Sequence, residues 1–276
     1  MRVINAQQIT ETVADLCGKA NLVLRRDVLL ALKRAYAREK KTQAKDILGA
    51  IIKNASVAQK EKLALCQDTG MPVVFLSLGQ DVHIKGALRP ALQKGIALGY
   101  KNNFLRDSIV PDPLSRGLSR STPAIIHTDI VKGDTLKITV LPKGFGCENK
   151  SALKMFIPTA RIDEIKQFVV DTVKDAGPDA CPPYVIGVGI GGTADYASLL
   201  AKKALLSKVG GQNSKAQLME KDLLKRINAL NIGPMGLGGE TTALAVAILT
   251  YPTHIAGLPV AVNISCHALR SATAYV

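Results

Sequence analysis

Tryptophan is absent from this 276-residue chain, and aromatic residues make up only 4% of it. Platforms for stacking nucleic-acid bases are therefore scarce. No run of about 18 uninterrupted apolar residues occurs, so no membrane-spanning helix is expected. The opening Met1-Arg2-Val3-Ile4-Asn5-Ala6-Gln7-Gln8 lacks the apolar core of a secretory signal. Cysteines number five, an odd and scattered set. A disulfide framework is not expected from them; metal-binding or catalytic thiols are. Acids are also scarce, with 22 Asp and Glu against 36 Lys and Arg, a formal net charge of +14. That balance suits nucleic acid, an anionic substrate or an acidic partner chain. With so few aromatics, a small anion or a protein partner fits better than nucleic acid. The densest basic run, Lys33 to Lys45, reads as the solvated face and tail of a helix. A basic nucleic-acid or protein-binding module centred there is the competing reading.

Hydrophobic residues form 47% of the chain, enough for one large domain or two modest ones. Ile9, Val13, Leu16 and Ala20 recur at helical spacing, as do Val28-Leu29, Leu32 and Ala35. Asp27 and Thr42 are candidate caps for a second and a third helix. Cys17 falls on the apolar side of the first helix and reads as core. Val73 to Leu76 reads as a buried strand, 86–104 as a helix, and Pro111 to Pro123 as a long loop. Thr135 to Val140 alternates like a half-buried strand. Helices are expected over 162–175, Thr193 to Val209, 214–229 and Thr241 to Leu249. Strands are expected at Tyr184 to Ile190 and Leu258 to Ile264, with a Gly-rich loop at Pro234 to Gly239. No internal repeat, linker or boundary stands out. Residues 1–276 read as one domain with a helical segment at 1–60. Mixed order without regular βαβ alternation argues for α+β, with a central sheet carrying Gly-rich turns; α/β is the alternative.

Cys66-Gln67-Asp68-Thr69-Gly70 sets a thiol, an amide, a carboxylate and a hydroxyl side by side before Met71-Pro72. Polar groups packed into a turn suit a site better than a core. Cys66, Cys181 and Cys266 all fall at the ends of elements. Three thiolates can hold three irons of a cubane and leave the fourth open as a Lewis acid. Spacing alone does not show this, because it matches no compact zinc or ferredoxin motif. Gly187-Val-Gly-Ile-Gly-Gly fits a dinucleotide-binding string and supports an oxidoreductase reading of a different class. The acid required about twenty residues on is missing from Lys208-Val-Gly-Gly-Gln212. A Gly turn that admits the backbone to another chain, a cluster or an anion is preferred. Further Gly turns occur at Lys143-Gly-Phe-Gly and Pro234-Met-Gly-Leu-Gly-Gly. His254 and Arg106 read equally well as structural or functional residues.

Seven strings occur in order: Cys66-Gln-Asp-Thr-Gly, Leu105-Arg-Asp-Ser, Lys143-Gly-Phe-Gly-Cys-Glu-Asn-Lys, Cys181-Pro-Pro-Tyr, Gly187-Val-Gly-Ile-Gly-Gly-Thr, Gly236-Leu-Gly-Gly-Glu-Thr-Thr-Ala and Ser265-Cys-His-Ala. Together they resemble the α subunit, or N-terminal domain, of iron–sulfur class I fumarate hydratases. The L(+)-tartrate dehydratase α subunit belongs to the same family. The resemblance runs from about residue 5 to the end. It implies a cytoplasmic hydro-lyase of the tricarboxylic acid cycle with a [4Fe-4S] cluster held by Cys66, Cys181 and Cys266. Cys147 stands where single-chain relatives carry a small residue and is not in the implied ligand set. Gln67 and Asp68 match a substrate-contacting pair, Arg106 a carboxylate clamp, Gly144 or Gly146 a backbone donor, and His254 a site histidine. Asp68 and His254 are the implied catalytic residues of this chain. The chain stops ten residues past Cys266. The resemblance thus implies a separate β subunit bringing further cations and a threonine, in a hetero-oligomer such as a dimer of αβ pairs. It implies a small dicarboxylate as substrate, fumarate or tartrate, and neither nucleic acid nor membrane as partner.

Overall fold

A computed structural model describes residues 2–211 and 216–276. Its elements begin with β1 (Arg2–Asn5), α1 (Ala6–Leu22), α2 (Arg26–Arg38), α3 (Thr42–Glu61), β2 (Met71–Gly79), β3 (Val82–Lys85) and α4 (Leu88–Asn102). Next come β4 (Ile125–Val131), β5 (Leu136–Lys143), α5 (Phe145–Glu148), β6 (Ala152–Phe156), α6 (Ile162–Ala176), β7 (Tyr184–Gly192) and α7 (Ala194–Ala204). The last are α8 (Gln217–Asn228), β8 (Ala243–Thr253), β9 (Leu258–Ser265) and β10 (Ala272–Tyr275). Helices mix with sheets that combine parallel and antiparallel pairs, which is the expected α+β class. The chain divides into two compact units.

Unit 1 takes Met1–Arg25, Ala55–Phe145 and Arg270–Val276. Its larger sheet has the order β10-β5-β2-β4. Central β2 pairs parallel with β4 and antiparallel with β5, and β10 is antiparallel to β5. The run Val73 to Leu76 forms the buried middle of β2, as its apolar character implies. β5 is buried along nearly its whole length rather than on one face, because β2 and β10 flank it and α1 packs on it. Ile9, Val13, Leu16 and Cys17 face this core. α1 also packs on α4, and Thr10 Oγ1 donates to the Ala91 carbonyl at 3.0 Å. β1 and β3 form a separate parallel pair. The segment 103–124 is a loop crossed only by isolated bridges, Ile109 with Arg120 and Asp112 with Arg116.

Unit 2 takes Arg26–Asn54 and Gly146–Leu269. Its sheet has the order β6-β9-β7-β8, with β7 parallel to β8 and antiparallel to β9. These directions repeat those of unit 1, with β7 in the place of β2, β8 of β4 and β9 of β5. The segment Thr241 to Leu249, expected as a helix, is instead the start of strand β8. Alanine favours helix locally, but Ala245, Val246 and Ile248 pair in register with Val185, Ile186 and Val188 of β7. Val246 and Ile248 enter the core, so burial and pairing override propensity.

The glycine run is also corrected. Gly187 and Gly189 lie inside β7, not in a turn. A Cβ at either would stand 2.0 Å from the carbonyl oxygen of Ala201 or Ala197 on α7. The glycines let a helix backbone close directly onto a strand. That contact accounts for both glycines by packing.

Other boundaries shift modestly. Asp27 lies within the first turn of α2, and its Oδ2 accepts the Val209 N–H at 2.7 Å. Thr42 opens α3, and α7 stops at Ala204 rather than continuing to Val209. The helix expected over 214–229 is α8; residues 214 and 215, like Gln212, lie outside the described residues. In the basic run, Lys33, Arg34, Arg38, Lys40 and Lys41 are exposed. Its lone acid, Glu39, is buried and accepts the N–H groups of Lys40, Lys41 and Glu240. Among the described residues, no helix is long and apolar enough to cross a membrane.

Gly187→Ala should lower stability by about 2–3 kcal/mol through overpacking. Urea unfolding of the full chain checks this; an unchanged midpoint would contradict the contact of α7 with β7.

Candidate active site

Strand direction gathers the motifs. In unit 1, Met71 at the start of β2 pairs with Lys143 at the end of β5. The turn Cys66–Gly70 and the segment Gly144–Phe145 therefore leave the sheet at one end. β4 starts at that end, with Ile125 opposite Val73, and the loop carrying Arg106 leads into it. Arg270 precedes β10, whose Ala272 pairs with Val140 near the same end.

The turn is pressed onto the end of β5. Gly70 has φ +76°, and a Cβ there would stand 2.8 Å from the Lys143 nitrogen. The half-buried Asp68 carboxylate is held by main-chain donors. Oδ1 accepts the Gly70 N–H at 2.9 Å and Oδ2 accepts the Phe145 N–H at 2.8 Å. Gly144 lies alongside, where a Cβ would stand 3.2 Å from Oδ2. Buried Thr69 donates through Oγ1 to the Arg106 carbonyl at 3.0 Å, which ties the turn to the Arg106 loop. Gln67 is exposed, and its Oε1 accepts the Cys66 thiol at 3.3 Å. The Arg106 side chain is exposed.

Three residues beneath this turn escaped the sequence reading. Arg270, only 3% exposed, donates from Nη2 to the Asp68 carbonyl at 2.7 Å and from Nη1 to Asn21 Oδ1 at 3.2 Å. The main-chain carbonyl of buried Asn21 accepts the Leu65 N–H at 2.9 Å. The Tyr100 hydroxyl lies 3.0 Å from both the Thr69 and Gly70 carbonyls. Burial keeps its phenol protonated well above the ordinary range, so it serves as a donor. The available signals were slight: a polar amide on the apolar side of α1, and an arginine closing Ser265-Cys-His-Ala-Leu-Arg.

In unit 2 the equivalent sheet end gathers a second set. Tyr184 opens β7 opposite Ala243 of β8, and Val185 lies opposite Ser265, the last residue of β9. Cys181 therefore precedes one strand and Cys266 follows its antiparallel neighbour at the same end. The Cys181 carbonyl lies 3.1 Å from His267 Nδ1 and 3.5 Å from the His267 amide nitrogen, which donates to it. The Gly-rich loop joins them, with the Met235 N–H donating to the Pro182 carbonyl at 2.9 Å. Cys181 has φ +58°, a rarely populated region for a residue with a side chain. Glu148 is fixed by Lys202, and by Asn263 Nδ2 at 3.0 Å. Gly146, in α5, is exposed.

His254 is not brought to this end. It follows β8, before Leu258, so the length of β9 separates it from Cys266, about 26 Å at 3.3 Å per residue. Its Nδ1 accepts the Ala256 N–H at 3.1 Å.

The thiols sort by environment. Cys17 is buried, and burial pushes its pKa up to about 12, so it stays neutral at any ordinary pH. Cys147 is 6% exposed and donates to the Ala180 carbonyl at 3.3 Å. Cys66, Cys181 and Cys266 are each partly exposed at strand ends. Three accessible soft donors of one kind fit an iron–sulfur group, whereas the two buried thiols do not. Among the described residues, neither unit by itself groups three or more His, Cys, Asp or Glu as a metal site.

A carboxylate held by main-chain donors stands beside a partly exposed thiol, with the Arg106 loop tied to the same turn, and makes this sheet end the candidate site of unit 1. The family is shown by comparison. The fumarate hydratase (fumerase) family model matches residues 10–275, and the chain belongs to that family, a family of hydro-lyases. It is 41% identical over 275 residues to the putative L(+)-tartrate dehydratase subunit alpha of Methanocaldococcus jannaschii, covering 96% of each chain. It is 28% identical over 275 residues to the L(+)-tartrate dehydratase subunit alpha of Escherichia coli K12, covering 98% of this chain and 91% of that one.

Alkylation of the metal-free native chain at pH 8 should label Cys66, Cys181 and Cys266 and leave Cys17 unmodified until denaturation. Peptide mass spectrometry reads this directly. Labelling of Cys17 at the rate of Cys66 would contradict the burial argument.

Proposed function

We propose that the chain is the α subunit of a cytoplasmic hydro-lyase that interconverts fumarate and (S)-malate, with a separate β subunit. A [4Fe-4S] cluster ligated by Cys66, Cys181 and Cys266 is part of the reading. The observation that carries it is the Cys66–Gly70 turn. There a thiol, an amide and a doubly hydrogen-bonded carboxylate follow one another, linked through Thr69 to Arg106. Family membership supports the reaction class. The words "subunit alpha" in the relatives' names support the partner chain.

The reaction adds water across a double bond, one carbon receiving hydroxyl and the other a proton. Held by Cys66, Cys181 and Cys266, such a cluster would supply Lewis-acid chemistry. Arg106 grips a substrate carboxylate through its planar fork and fixes which face of the double bond is presented. The Gly144 and Gly146 N–H groups donate to substrate oxygens, and the Gln67 amide supplies a donor and an acceptor beside Cys66. Each Asp68 oxygen accepts one main-chain bond and keeps lone-pair capacity for substrate. Asp68 thereby takes part in proton transfer or orients the group that does, and the C–H proton belongs to a residue of the partner. The +14 charge draws a dicarboxylate dianion. His254 enters only as the site histidine the resemblance implies, and no step is built on it.

A second reading is dehydration of L(+)-tartrate to oxaloacetate, favoured by the names of the relatives. The same groups serve, with one more hydroxyl to seat.

Anaerobic co-production with the partner chain tests both readings by counting iron and sulfide and comparing turnover of fumarate, malate and tartrate. Absence of iron together with no turnover on any of them overturns the proposal. Cys181→Ser should lose the iron–sulfur chromophore. Asp68→Asn should keep it while losing about 10²–10⁴-fold in turnover; full activity there would refute the role given to Asp68.

A further inference from the structure

We infer that Arg270 is a positioning residue for the Asp68 turn, acting from beneath it together with Asn21 and Tyr100. The inference rests on the proposed function only in what the turn is for; the contacts stand on their own. A guanidinium 97% removed from solvent is costly to bury, and an aliphatic side chain would fill the same space at less cost. What Arg270 adds is two directed bonds, one to the Asp68 carbonyl and one to Asn21. Its Nε has no hydrogen-bond partner among the described residues, so its own complete satisfaction does not explain its place.

The rest of the turn is gripped in the same way. The Asn21 main-chain carbonyl takes the Leu65 N–H, and the Asn21 Nδ2 donates to the Cys17 carbonyl at 3.0 Å. Tyr100 reaches the Thr69 and Gly70 carbonyls from α4. The carbonyls of Asp68, Thr69 and Gly70 are thus tied to buried side chains, while the Leu65 N–H is tied to the Asn21 main chain. The carboxylate of Asp68 is tied separately to the Gly70 and Phe145 N–H groups. The 68–69, 69–70 and 70–71 peptide planes cannot rotate without breaking one of these hydrogen bonds. The Asp68 side chain takes its direction from these planes and from the two N–H groups that hold its carboxylate. Arginine suits the task because its rigid fork spans two acceptors on different segments, which a lysine ammonium does not.

The test uses the full chain, alone for hydrogen exchange and co-produced with its partner for kinetics, in the variants Arg270→Gln and Tyr100→Phe. Amide exchange at Gly70, whose peptide plane carries the Thr69 carbonyl, should rise at least about tenfold, one lost buried bond being worth roughly that factor. Core amides of β2 and β5 should not change. In Arg270→Gln, kcat should fall on the order of 10²-fold with KM within about threefold of the parent, as misplacement of a reacting group predicts. A uniform rise in exchange across β2, β5 and the turn would show a merely structural residue and overturn the inference. So would unchanged exchange at Gly70. If Arg270→Gln does not fold, Tyr100→Phe decides by the same exchange criterion, since it keeps the ring and removes only the hydroxyl. Failure of the parent enzyme to turn over any substrate would count against the proposed function, while the exchange result would still decide this inference.

Discussion

In each unit a central strand pairs parallel with one neighbour and antiparallel with the other. β2 does so with β4 and β5, and β7 with β8 and β9. The start of two strands and the end of a third then fall at one sheet end. Every cysteine and glycine motif singled out for chemistry, apart from the Gly187 run, leaves the sheet there. This is the reverse of the doubly wound arrangement, in which ligands gather at the carboxyl ends of parallel strands. The loops at this end are free to carry polar residues because the strands behind them carry the core.

The chemistry in unit 1 is held by backbone donors and buried polar side chains rather than by ion pairs. A carboxylate that accepts two N–H groups has a defined direction without being neutralised by a cation. The network under the turn serves the same end, because each carbonyl it binds is one that would otherwise set the turn free. In unit 2 the corresponding work is done by Glu148, Lys202 and Asn263 behind the Lys143-to-Lys150 loop and by His267 against Cys181.

Local patterning was readable where burial repeats at the helical period. Ile9, Val13 and Leu16 announced α1, and the amphipathic 162–175 announced α6. It failed where pairing partners decide. Ala243 to Leu249 has the composition of a helix and became a strand because β7 offers it a parallel ladder and a core. β1, β3 and β4 carry no alternation strong enough to single them out, and they exist through their partners. Gly187 and Gly189 looked like a phosphate turn because a short string cannot reveal which backbone fills the missing side chain's place; it is that of α7.

The order and chemistry of the motifs were set by the sequence alone: three thiols at element ends, the Gln67–Asp68 pair, Arg106, and the glycine loops that identify the family. Such groups are spelled locally and keep their identity in any fold. The tertiary structure alone decided that Asp68 is clasped by Gly70 and Phe145, that Arg270, Asn21 and Tyr100 stand beneath it, and that His254 lies at the far end of β9 from Cys266. Those placements come from hydrogen-bond pairing and burial between residues up to 249 positions apart. Periodicity within a window of a dozen residues carries no record of them.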